Sequence, residues 1–162
     1  MTIPWRIWLV MCALASVAIT SVGLQPGMSG VWWPIPSLWL AAVWASFGLS
    51  VWASACLIIL GVLTDFITEA PVGAWPLALL CAYGVGLVAW DRQPPVPVVF
   101  AELIAVGGGA IAAGLALSAA GSIAGQAGFA REGLIFDALT TLLLYPVVRY
   151  ILLPRDIREA RR

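Results

Sequence analysis

The sequence has no histidine and no lysine, and Asp, Glu and Arg together make up only 10% of its 162 residues. An ordinary soluble domain carries roughly 25% charged residues. With 62% hydrophobic residues, this chain has too little polar surface to cover a globule in water. The absence of histidine, with only three cysteines (Cys12, Cys56 and Cys81, each inside an apolar stretch), leaves no basis for a Cys/His metal site or a disulfide framework. The cysteines read as small buried hydrophobes. Eight arginines balance eight acids, and no nucleic-acid partner, cofactor or metal is expected.

What is present is apolar sequence in helix-length runs. No charged residue occurs between Arg6 and Asp65. A spanning helix needs about 20 mostly apolar residues, so five or six crossings with short connections use up nearly all of the chain. The expected fold is therefore an all-α membrane protein, a compact bundle of six transmembrane helices forming a single polytopic domain over 1–162. The expected helices are 7–24, 36–48, 51–68, 72–90, 98–120 and 133–153, followed by a short basic tail over 154–162.

Punctuation in the sequence sets these bounds. The run from Ile7 to Leu24 exceeds the apolar core of a usual signal peptide and reads as a first helix. Gln25 to Gly30 reads as a loop, and Pro36 opens a second helix where proline is tolerated. The uncharged run from Trp32 to Leu63 is too long for one span, so a tight turn is expected at Ser46–Ser50. Asp91-Arg92-Gln93-Pro94-Pro95-Val96-Pro97 reads as a solvated turn, and Gly121 to Ala130 as a small-residue loop. Six crossings put Arg6, Arg92 and the tail arginines on one side, as positive-inside orientation requires, with both termini cytoplasmic.

Polar groups at bilayer depth are the informative positions, because each costs several kcal/mol without a partner. Asp65 lies on the helical face of Gly61, beside Thr64 and Thr68, where its carboxylate would cap the following helix or bond a facing backbone. Glu102, near the start of the fifth helix, is expected to reach solvent by snorkelling. Asp137 shares a face with Thr140 and Thr141 three and four residues on, the pattern of a hydrogen-bonded helix contact. Arg149 has lipid phosphate as its expected partner. Small residues at four-residue spacing (Gly109/Ala113, Ala110/Gly114, Gly114/Ser118) permit close helix packing and do not form a phosphate loop. Trp5, Trp8, Trp32, Trp33, Trp75 and Trp90 fall at helix ends as interfacial anchors. Trp39, Trp44 and Trp52 are candidates to face a partner. No nucleophile with a base and no paired carboxylates appear, so no catalytic residue is assigned.

The segment Gly61-Val-Leu-Thr-Asp65-Phe-Ile-Thr-Glu-Ala-Pro71-Val-Gly73 resembles the signature of the bacterial rod shape-determining protein family MreD, in which a helix ending Gly-x-x-x-Asp is followed six residues later by Pro-x-Gly and another apolar helix. Tyr83 and Leu139-Thr-Thr-Leu-Leu-Leu-Tyr-Pro146 are similar to features of later helices in that family. Pro36-Ser37, where the family often has Pro followed by Asp or Asn, and Pro76 inside the fourth helix depart from its pattern. The resemblance implies a non-enzymatic scaffold of the bacterial inner membrane. Such a scaffold would link lateral peptidoglycan synthesis to an MreC-like bitopic membrane protein and, indirectly, to an MreB-like actin filament and the elongation glycosyltransferase and transpeptidase. Gly61, Asp65, Pro71, Gly73, Asp137, Thr140 and Thr141 then become structural or partner-contact candidates. The family is similar in fold to the substrate-binding components of energy-coupling-factor transporters, which makes a vitamin-binding transporter subunit the rival reading. A third class, a proton-coupled channel using Asp65 and Asp137, would be sensitive to Asp→Asn substitution at either position.

Overall fold

The computed structural model describes residues 3–23, 35–91, 98–123, 125 and 134–152. Among these residues the regular structure is all helix, with α1 Ile3–Gly23, α2 Pro36–Ala45, α3 Val51–Thr68, α4 Ala74–Asp91, α5 Val98–Ile123 and α6 Leu134–Leu152. The expected loop Gln25–Gly30, the tract after Asp91 as far as Pro97, and the basic tail lie outside the described residues.

Each boundary that differs from expectation has a local cause. The second helix, expected to reach residue 48, ends at Ala45, where Phe47 and Gly48 N–H turn back to the carbonyls of Trp44 and Ala45 and Gly48 takes φ +85°. The fourth starts at Ala74 instead of residue 72 because Gly73 has φ +93°, a conformation no helix contains. Pro76 thus falls in the first turn of α4, where a missing N–H costs no helical bond. The fifth helix continues through Gly121 to Ile123, residues expected in the loop. The first starts at Ile3, which takes Arg6 into the helix.

The arrangement centres on α2, all ten of whose residues are buried. It packs against every other helix, while α1–α3, α3–α4, α4–α5 and α5–α6 pack side by side around it. The α4–α5 interface is the most extensive. It is built from small residues: Ala78, Ala82, Ala105, Ala110 and Ala113 are buried. A Cβ placed on Gly109 would lie 3.1 Å from Ala82 Cβ, and where α4 meets α2 one on Gly86 would lie 2.6 Å from Ala45 Cβ. Close approach of this kind maximises van der Waals contact between the helices.

The outer faces are apolar. Met11 and Leu14 on α1, Ile59 and Phe66 on α3, Ile111 and Leu115 on α5, and Leu143 and Val147 on α6 are all exposed. Among the described residues, two helical stretches are long and apolar enough to cross a membrane, Val51–Thr68 and Glu102–Ile123. Shorter apolar helical stretches cover Val10–Ile19, Pro36–Ala45, Ala74–Ala89 and Asp137–Val148.

Candidate functional site

The segment that carries the family resemblance folds into a clasp between α3 and α4. At its base is a close approach. A Cβ on Gly61 would lie 2.5 Å from Pro76 Cα and nearer still to Pro76 N, so only glycine lets the two backbones meet there. One turn further, Asp65 acts at both of its ends. Its carbonyl accepts from Ala70 N–H at 3.1 Å and from the N–H of Glu69, which closes α3 with Glu69 in the left-handed region at φ 52°. Glycine usually holds that position. Its carboxylate crosses to α4, Oδ2 accepting from Gly73 N–H at 2.7 Å and Oδ1 from Trp75 N–H at 2.9 Å.

These two donors belong to the start of α4, whose first N–H groups have no partner within the helix. An anion at a helix N-terminus is also favoured by the aligned peptide dipoles. Thr68 adds a third link across the turn, its Oγ1 accepting from Trp75 Nε1 at 3.0 Å while donating to Thr64 O at 2.8 Å. Pro71 and Gly73 serve the turn itself. Pro71 follows the end of α3, and its carbonyl accepts from Ala74 N–H at 3.0 Å. Asp65 is 3% exposed and both its carboxylate oxygens are engaged by backbone donors, so its chemistry is that of a fixed acceptor.

A second polar cluster joins α6 to α2. Thr141, completely buried, donates its hydroxyl to Asp137 O at 2.6 Å and accepts from Ile35 N–H at 2.8 Å. Its carbonyl accepts from Trp39 Nε1 at 2.7 Å. The Asp137–Thr141 pairing anticipated within α6 is therefore a backbone bond to the Asp137 carbonyl, and the contact between helices runs through Thr141 to α2. Thr140 is half-buried beside it. Gly61, Asp65, Pro71 and Gly73 thus come together on one helix pair, and Asp137, Thr140 and Thr141 lie on another.

A third element escaped the sequence reading as a site, although its signal was a tyrosine in the middle of an apolar helix. Tyr83 of α4 is buried, and its hydroxyl donates to Gly48 O at 2.8 Å and accepts from Ser50 N–H at 3.0 Å, bracketing the turn between α2 and α3.

Several expectations change. Glu102 does not snorkel: it is 1% exposed and packed within the fold. Trp39 and Trp44, candidates to face a partner, are buried against the other helices. Trp75, expected at the interface, is buried with its indole on Thr68. Trp52 is exposed. The side chains of Arg149 and of Trp5, Trp8, Trp32, Trp33 and Trp90 lie outside the described residues. Among the described residues, no group of three or more His, Cys, Asp or Glu is placed to hold a metal, and Cys12, Cys56 and Cys81 are free thiols.

No protein-family model, curated protein or solved structure matches the chain.

Proposed function

We propose that this chain is a polytopic protein of the bacterial inner membrane and a non-enzymatic scaffold of the MreD type, holding the wall-elongation machinery together through an MreC-like bitopic partner. The observation that carries the reading is the clasp. Gly61, Asp65, Pro71 and Gly73, the residues of the resemblance, are the ones engaged in joining α3 to α4, and each has a geometric reason for its place.

The exposed apolar faces of α1, α3, α5 and α6 suit lipid and partner helices. Asp65, Thr141 and Tyr83 are engaged in contacts between helices or across turns, which suits a scaffold rather than a catalyst. The shortness of α2 also fits a six-helix membrane bundle. Ten residues rise about 15 Å, half a hydrocarbon core, and a partial helix is tolerated at membrane depth where protein sheathes it.

Depletion of the protein from a rod-shaped host should round the cells, and detergent pull-down should recover a bitopic membrane partner with a periplasmic domain. Cells that stay rod-shaped through depletion would dismiss the scaffold reading. Retention of a vitamin through purification would favour the transporter reading instead.

A further inference from the structure

The end of the α2–α3 connection and the first two residues of α3 expose a run of apolar side chains: Leu49 is 82%, Val51 87% and Trp52 61% exposed. The nearest charged residues in the sequence are Arg6 on one side and Asp65 on the other. A turn in water would be expected to present polar groups and to take its hydrogen bonds from solvent.

This one takes most of them from the protein. Ser46, Phe47 and Gly48 N–H bond to the carbonyls of Val43, Trp44 and Ala45. The Gly48 carbonyl and Ser50 N–H are both taken by the Tyr83 hydroxyl, and Ser50 Oγ accepts from Ala53 N–H. The N–H groups of Ser46, Phe47, Gly48 and Ser50 are thus satisfied from within, as hydrocarbon surroundings favour.

The depth of the turn agrees. Ala45, which leads into it, packs on Gly86, and the turn itself is held by Tyr83, while α4 continues to Asp91. At about 1.5 Å per residue, on the order of 7–12 Å of α4 extends beyond the level of the turn. Asp91 is the first charged residue after Glu69, and on the membrane reading the end of α4 is where the helix meets water. The turn is therefore recessed from that surface by the depth at which amphipathic segments sit, about 5–10 Å into the boundary between headgroups and acyl chains. It is also continuous with the exposed apolar face of α3 at Ile58 and Ile59.

From these observations we infer that Leu49, Val51 and Trp52 form a lipid-inserted wedge, immersed in the leaflet on the side of the membrane where α4 ends, with Trp52 oriented for the interface. The occupant of this surface is lipid, not a protein partner. The inference rests on the membrane reading above, and its test separates the two.

In a chain with Cys12, Cys56 and Cys81 replaced by alanine, the variants Leu49→Cys, Val51→Cys, Ile59→Cys and Glu69→Cys are spin-labelled one at a time and reconstituted in phosphatidylethanolamine/phosphatidylglycerol vesicles. Collision with oxygen, which concentrates in hydrocarbon, is compared with collision with a polar nickel chelate, which does not. The oxygen-to-nickel ratio at positions 49 and 51 should exceed that at exposed Glu69 by roughly tenfold, because a polar chelate is excluded from apolar surroundings. A ratio at 49 and 51 equal to that at Glu69 places the turn in water and overturns the wedge. Protection from both reagents there means a second copy of the chain covers the turn, and overturns it equally. A low ratio at mid-helix Ile59 as well would overturn the membrane reading itself, whereas a high ratio at Ile59 with a low one at 49 and 51 removes only the wedge.

Discussion

Replacing Asp65 with alanine tests whether the clasp holds α3 and α4 together. The substitution removes the acceptors of two backbone N–H groups, Gly73 at 2.7 Å and Trp75 at 2.9 Å, beneath a side chain that is 3% exposed. A buried donor left without a partner costs about 1–3 kcal/mol, and bonds to a charged acceptor are the stronger kind. Allowing for partial relaxation of the turn, Asp65→Ala should cost about 2–5 kcal/mol. Asp65→Asn keeps one carbonyl oxygen but points an amide N–H at the other donor, and should cost about half as much. The measurement is unfolding by SDS titration in mixed micelles, followed by far-UV circular dichroism, with the parent and both variants in the same detergent. An Asp65→Ala protein within about 0.5 kcal/mol of the parent, the range of an uninvolved surface position, would refute the reasoning. So would an Asp65→Asn loss larger than that of Asp65→Ala.

Five other substitutions follow from distances in the fold. Gly61→Ala puts a methyl 2.5 Å from Pro76 Cα and should destabilise by about 1–3 kcal/mol, whereas Gly84→Ala, with nothing within 4 Å of its new Cβ, should be neutral or gain up to about 1 kcal/mol from helix propensity; the same SDS titration ranks the pair. Tyr83→Phe strips the hydroxyl from Gly48 O and Ser50 N–H. Hydrogen exchange of the turn should quicken by about tenfold, the equivalent of ~1.4 kcal/mol, and unchanged exchange would contradict the bracketing role. Thr141→Val leaves Ile35 N–H without its acceptor and should cost about 1–2 kcal/mol, while Thr141→Ser should restore most of it.

The number and order of helices were legible because prolines and charges punctuate an otherwise apolar chain. Ser50, Glu69 and Pro71 bracket α3, which begins and ends where the sequence places it. The clasp was half legible. Spacing puts Asp65 on the face of Gly61, but that its carboxylate reaches two specific N–H groups depends on Gly73 leaving the helix at positive φ, a property of the folded turn. Thr141 shows the limit more sharply. Its helical spacing from Asp137 predicts a contact, yet its partners on α2 lie about a hundred residues away and no local pattern encodes them. Glu102 misled because a carboxylate near a helix start usually finds water, and here neighbouring helices enclose it.

The central position of α2 has a consequence in time. It leaves the ribosome well before α6, yet the bonds from Trp39 and from Ile35 just ahead of it are to Thr141 in α6. Until α6 arrives, α2 has neither its full sheath nor those bonds, and it is about half the length that a membrane-spanning segment needs. Closure of the fold around α2 therefore waits for α6. A nascent chain stopped before Leu134 should be recognised by the cell as unfinished and degraded, even with α1 to α5 made.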